Sequence, residues 1–313
     1  MSGDSPTEPF ETRKACALDE TPPEARWLVD SLWAEASVGV IGGTPKSYKT
    51  WLGLEIACAV ATDTPCLGDF HVSRPGATLV YLAEDDLGDV RDRLHSLAHI
   101  RGRTLDQLEV HVICASTVRL DIDRDLRRLA KTIATIQPRF LLLDPFVRLH
   151  RLDENSASEI SRMLGHLRTL QRHYQTAVCL VHHTRKSSAA HQRGQALRGS
   201  GDLHAWGDSN LYLTRTKKGM ELAVEHRAAP APEPCFVDLT DGPHPHLEIV
   251  DLADDTSPPL TERVLSELRR LEAPITRTRL RERLAVQNKR LGDALTELED
   301  LGRIQRTKDG WLI

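Results

Sequence analysis

Five short apolar runs, set apart by amphipathic stretches, constrain this chain more than any other feature. Val38–Ile41, Ala77–Ala83, Leu108–Cys114, Phe140–Leu143 and Ala177–His182 read as strands. Between them, Thr50–Ala61, Leu87–Ile100, Leu126–Ile136 and Ala157–His173 carry apolar residues at helical spacing. Strand and helix in turn predict an α/β fold, a mostly parallel sheet with helices packed on both faces. The pattern then changes. Asn210–Thr214 and Glu221–Glu225 flank Thr216-Lys217-Lys218-Gly219, and Cys235–Leu239 and Leu247–Val250 flank a turn at Asp241–Pro245, so late β-hairpins are expected.

With 313 residues, 40% of them hydrophobic, the chain can bury one full core and a small second domain. The polar, proline-bearing residues 1–24 are expected to form a flexible leader. Residues 25–250 would form the main domain, the acidic residues 251–259 a linker, and residues 260–313 the second domain. A formal net charge of −4 excludes a disordered polyelectrolyte. No apolar run approaches the ~20 residues of a membrane span, and the first residues lack the apolar stretch of a signal peptide. The 6 cysteines lie far apart without a C-x-x-C pair, as reduced thiols do. A soluble, cytoplasmic protein is expected. Residues 257–313 hold 12 Lys/Arg against 9 Asp/Glu, whereas the remainder is acidic, so the terminal module suits a polyanionic partner.

The first strand runs into Gly42-Gly43-Thr44-Pro45-Lys46-Ser47-Tyr48-Lys49-Thr50, with Trp51 just inside the helix that follows. From Gly43 this fits G-x-x-x-x-G-K-[ST] except that Tyr48 stands where the second glycine belongs. In such a loop, backbone N–H groups and the helix N-terminus wrap a β-phosphate. Lysine, here Lys49, reaches the β/γ-phosphates, and a hydroxyl, here Thr50, holds Mg²⁺. Lys46 supplies a further cation. Phe140–Leu143 ends in Asp144, a Walker B pattern that delivers one carboxylate to Mg²⁺. Val80–Ala83 ends in Glu84, Asp85 and Asp86, of which Glu84 suits the activation of water. Cys179–Val181 ends in His182 and His183, which alternate faces on a strand and so cannot chelate one metal together. Each segment also has a plainer reading: a glycine-rich turn, a capping aspartate, an acidic helix start. Ligands of open α/β sheets bind beside the carboxyl ends of strands, and the coincidence of four such ends favours a single ATP–Mg²⁺ site.

Taken together, G-x-P-K-S-x-K-T, Y-L-A-E-D-D, L-L-L-D, L-V-H-H and A-L-R-G-S-G resemble the RecA-like P-loop ATPases of the RepA type. These are hexameric plasmid replicative helicases and their relatives, cousins of the DnaB helicases, and the resemblance spans Trp27 to Val250. It implies that Lys49 and Thr50 bind phosphate and Mg²⁺, that Asp144 is the Walker B acid and that Glu84 is the catalytic base. It further implies that His182 or His183 senses the γ-phosphate. The loop Thr184–Ala196 would face a ring channel, with Arg185, Lys186 and Arg193 on single-stranded DNA. Arg198 and Arg227 would act at subunit interfaces, with Arg227 as the finger inserted into the neighbouring site. The family has a lysine two residues before that arginine; here it is Glu225.

Leu260–Leu271, Thr276–Ala285 and Gln287–Leu301 read as three helices, followed by two short strands around Lys308-Asp309-Gly310. This resembles a winged helix-turn-helix domain. The likeness implies DNA contacts from Gln287, Asn288, Lys289 and Arg290 on the third helix and from Arg306 and Lys308 on the wing. A protein-contact role for the module stays open. The function expected is an ATP hydrolase acting on DNA as a homo-oligomer, a hexamer in the related helicases. The alternatives are a DNA-binding regulator switched by ATP and a scaffold with an inactive site.

Overall fold

The computed structural model describes residues 12–17, 26–152, 157–183, 201–250, 259–271, 273–284, 286, 288–308 and 310–313. In chain order, the ribbon β1 (Trp27–Val29) and β2 (Trp33–Ala34) precedes β3 (Val38–Gly43), α1 (Lys49–Thr62), β4 (Thr78–Leu82), α2 (Leu87–His99) and β5 (Val110–Val112). Then come α3 (Asp123–Ile136), β6 (Phe140–Asp144), α4 (Ala157–Tyr174), β7 (Ala177–His183), α5 (Gly201–Trp206), β8 (Ser209–Arg215), β9 (Met220–His226), β10 (Cys235–Leu239) and β11 (Leu247–Val250). The last elements are α6 (Leu260–Arg269), α7 (Arg277–Leu284), α8 (Asn288–Asp300), β12 (Gln305–Thr307) and β13 (Gly310–Leu312).

One nine-stranded sheet runs β11-β10-β9-β8-β3-β7-β6-β4-β5. Its β8-β3-β7-β6-β4-β5 part is parallel, and β9, β10 and β11 add antiparallel strands at one side. The central strands β3, β4, β6 and β7 are buried at every position but His183, and mostly apolar, because both faces are covered. Ile41, Val80, Phe140 and Leu142 join the cluster under α1 and α2. Their neighbours Val40, Leu79, Leu141 and Leu143 join the cluster under α3 and α4. Helix α1 lacks a polar stripe because it is buried along most of its length. Its Gly53 lets it lie close on β6, since a Cβ there would meet Leu142 Cδ1 at 2.7 Å. By contrast α3 is amphipathic, burying Leu129 and Ile133 while its arginines face outward.

Both expected hairpins form, β8–β9 and β10–β11. The third expected strand shortens to β5 at the sheet edge. Helix α3 starts three residues earlier than its apolar spacing indicates, at Asp123, where acids suit the positive end of the helix dipole. The β1–β2 ribbon is too short to show a period in the sequence, yet its Trp33 is fully buried, edge-on to Phe140 at 5.7 Å. Near the C-terminus, α6, α7, α8 and the β12–β13 hairpin enclose a cluster of their own, which includes Val264, Leu268, Leu280, Leu291, Leu295 and Trp311.

Candidate functional site

The parallel order β3-β7-β6-β4 brings four strand ends side by side, and the polar residues that close these strands follow one another along one sheet edge. Gly42 and Gly43 on β3 stand beside His182 and His183 on β7, while Leu82 at the end of β4 faces Asp144 at the end of β6. The Ala83 N–H donates to the Asp144 carbonyl at 2.7 Å, so the chain leaving β4 toward Glu84 is fastened to β6.

The loop from Gly43 to Thr50 wraps the start of α1. Only glycine fits at 43, because a Cβ would lie 2.5 Å from Ser47 Oγ and 2.7 Å from the Leu213 carbonyl. Tyr48 caps α1 in the left-handed region, at φ 64° and ψ 17°, and Lys46 is left-handed too, at φ 61°. The loop thus takes at Tyr48 the backbone shape for which glycine is the usual choice. The tyrosine ring packs on the cluster under α1, and its hydroxyl donates to Asp238 Oδ1 on β10 at 3.1 Å.

Lys49 is buried. Its Nζ donates to the Thr44 carbonyl at 2.7 Å and lies 3.4 Å from Ser47 Oγ. Burial pulls its ammonium down to about 8, against the opposing pull of Asp144, so it stays charged at neutral pH. Thr50 Oγ1 donates to Asp144 Oδ2 at 2.6 Å. Asp144 is 6% exposed, and burial raises its carboxyl to about 6. The Thr50 hydrogen bond opposes that rise, Asp85 adds to it, Lys49 opposes it and Glu84 adds to it. A half-buried hydroxyl bonded to a buried carboxylate beside a lysine is a set of hard oxygen donors that suits Mg²⁺.

His182 is buried with its ring edge-on to Phe146, 6.2 Å away, and burial, then His183, Lys49 and His150, push it down to about 4. It is a neutral imidazole at physiological pH. His183 points the other way and is exposed; burial of part of its ring and the charge of Lys49 lower it, opposed by Glu84. Glu84 is exposed as well, and its Oε1 accepts from Arg148 Nε at 2.7 Å. Arg148 sits in the single turn after Asp144-Pro145 and carries no signal in the sequence. With Glu84, Ser116, Thr117 and Arg119 it lines a cleft of about 340 Å³. Asp85 is held by a two-pronged bond from Arg93, at 2.9 and 3.0 Å, and the Arg93 guanidinium lies 5.6 Å over the Trp51 ring.

Arg227 lies elsewhere. It follows β9 and pairs with Asp208 at 3.4 Å, and Asp208 also pairs with Arg168 on α4. Asp208 precedes β8 and contacts the Val38 backbone, so this cluster sits at the end of β3 and β8 opposite the Gly43 loop. That placement sets Arg227 at the far end of the sheet from Lys49 and Asp144 of the same chain. Arg198, Arg185, Lys186 and Arg193 lie outside the described residues, as does Gln287 and as do the side chains of Asn288, Lys289 and Arg290. Arg306 and Lys308 are exposed, Arg306 over the Trp311 ring at 5.7 Å. No helix among the described residues is long and apolar enough to cross a membrane.

The crystal structure of the RadB recombinase is similar in fold, with a TM-score of 0.51 at 18% identity, covering 69% of this chain and 92% of that one. A KaiC-like protein from the hyperthermophilic archaeon Pyrococcus horikoshii OT3 gives a TM-score of 0.50 at 15% identity, covering 72% and 94%. No curated protein matches the chain in sequence. At these identities the two structures speak to fold alone, and that fold is a RecA-like core, as the motifs imply. A family model described as an AAA domain, AAA_25, matches residues 5–189. A strand-ended phosphate loop on a RecA-like sheet, matched by this model over more than half of its length, makes the chain a member of the AAA_25 family of AAA-domain P-loop NTPases.

Proposed function

We propose that the chain is a DNA-acting ATPase, an oligomeric RepA-like helicase or replication protein that hydrolyses ATP between protomers. One observation supports this above the others: Asp144 stands 94 residues beyond the adjacent pair Lys49 and Thr50, yet the three meet at one sheet edge with Thr50 Oγ1 on Asp144 Oδ2 at 2.6 Å. Thr50 and Asp144 would hold Mg²⁺, which supplies charge neutralisation for the β/γ-phosphates. Lys49 leaves the Thr44 carbonyl for the phosphate oxygens, a stronger, charge-assisted partner. Glu84 exchanges Arg148 for the attacking water and takes its proton. His182, neutral and next to β3, reports the state of the loop along β7 toward the residues that follow His183. Arg227, far from the site of its own chain, reaches the site of a neighbour. The terminal module, with exposed Arg306 and Lys308, holds duplex DNA in the manner of a winged helix or docks a replication partner. The homo-oligomer acts in the cytoplasm.

A second reading, an ATP-switched DNA-binding regulator, draws on Glu225 and on the Arg227–Asp208 pair, which ties the finger within its own chain. ATPase assays with and without single-stranded DNA, run beside strand displacement on a forked duplex, separate the two. The helicase reading expects DNA-stimulated turnover and strand displacement. The regulator reading expects DNA binding and slow turnover with no displacement, and a chain inactive in both assays defeats both.

A further inference from the structure

Tyr48 occupies the left-handed backbone region at φ 64°, where a side chain other than glycine carries a steric cost. Such a conformation persists when the surroundings over-determine it. Here two contacts do so. The ring packs on the cluster beneath α1, and the phenol donates to Asp238 Oδ1 at 3.1 Å, 190 residues further along the chain. Asp238 is exposed on β10, and the same Oδ1 accepts the N–H of Leu239 at 2.9 Å, which fixes the carboxylate as an acceptor. On the other side, the Leu52 N–H donates to the Tyr48 carbonyl at 2.9 Å, opening the hydrogen-bond ladder of α1. Tyr48 therefore links the mouth of the phosphate loop to a strand outside it. A glycine in its place would have no such anchor and would sample many backbone shapes when no phosphate is bound.

We propose that Tyr48 is a positioning residue: anchored to Asp238, it holds the phosphate loop in the shape that binds nucleotide before nucleotide arrives. This rests on reading the loop as a nucleotide site and adds to it a second, distant residue that sets affinity. Ordering the loop in advance removes an entropic cost from binding.

The test is ADP binding by the full chain, measured by titration calorimetry. Tyr48→Phe and Asp238→Ala are each expected to weaken binding about fivefold, the worth of one hydrogen bond. The double variant is expected to weaken it no further, because both changes remove the same bond. Asp238→Asn keeps an acceptor oxygen and should stay within about twofold of the unaltered chain. Tyr48→Gly, which restores the usual loop pattern, should bind more weakly than Tyr48→Phe, since it loses the ring as well. Asp238→Ala lies on the surface and should leave the melting temperature without nucleotide unchanged, separating positioning from a structural role. Variants that bind like the unaltered chain, losses that add in the double variant, or tighter binding by Tyr48→Gly would overturn the proposal alone. An unaltered chain that binds no ADP overturns the nucleotide reading, and this inference with it.

Discussion

On one side of the converging strand ends, Lys49, Asp144 and His182 are buried, and Lys49, Thr50 and Asp144 are bonded to one another or to the loop. On the other side Glu84 and His183 stand at the surface, and Glu84 is held by Arg148, a side chain 60% exposed. The two halves face opposite physical problems. Burial on the first side shifts every ionisable group away from its charged form, and its lysine and carboxylate each oppose the other's shift. Solvent on the second side screens its charges and leaves Glu84 able to change partner. The first half is built to bind and the second to be completed, and each of the following changes bears on that division.

Lys49→Ala gives the largest effect. It removes the ammonium buried against the Thr44 carbonyl and should weaken ATP binding by on the order of 100-fold or more, read by titration. Glu84→Ala touches the open half and should split binding from chemistry. ATP affinity is expected to stay within about threefold while turnover falls on the order of 10²- to 10⁴-fold, the usual contribution of a general base. Normal turnover in Glu84→Ala would move the base elsewhere and erase the distinction between the halves.

The same division marks what the sequence discloses. Strands β3, β4, β6 and β7 are apolar at consecutive positions, and a run of that kind followed by Gly43, Glu84, Asp144 or His182 announces where a buried strand surfaces. Neighbour order is not disclosed in that way: β3 lies between β7 and β8 rather than beside β4, unlike the common doubly wound orders, and only the folded chain gives it. The open half shares this for Glu84 itself, but the partners that hold its carboxylates have no such announcement. Arg148 lies 64 residues from Glu84, and Arg93 lies 8 from Asp85, so both pairs exist only once β4, α2 and the turn after β6 are assembled. Tyr48 shows a third case. Its departure from the glycine pattern is visible in the sequence, but its left-handed backbone is not, and its Asp238 partner comes from β10, which meets the tyrosine only in the folded chain.

Within the buried half, Asp144 and His182 make opposite demands on pH. The Asp144 carboxyl is raised to about 6, so the folded state holds its proton more tightly than the unfolded chain, and stability falls as pH rises from about 4 to 6. His182 is lowered to about 4, so the unfolded chain binds its proton first, and stability rises with pH over about 4 to 6.5. Thermal melts in a metal chelator should show these terms offsetting each other. Asp144→Asn removes one, and its stability should climb with pH across that window. At pH 7 it should exceed the unaltered chain by about 3 kcal/mol, the cost of an ionised buried carboxylate without its cation. His182→Asn removes the other and should show stability falling with pH. Parallel profiles for the two variants would mean that the buried half is open to water.

Arg148→Ala is the mildest change and the one that examines the open half directly. Its bond to Glu84 is short at 2.7 Å, but the side chains are 60% and 46% exposed. Solvent screening and the entropy of fixing two long side chains offset the Coulomb attraction of such a pair. Folding stability should therefore change by less than about 1 kcal/mol, and the difference should shrink further in high salt. Measured beside Asp144→Asn, this sets a bound carboxylate against a movable one under the same conditions. A loss of several kcal/mol that persists in salt would show that Glu84 is fixed as firmly as Asp144. The exchange of Arg148 for water would then have to draw on the binding energy of the nucleotide rather than on the mobility of an exposed side chain.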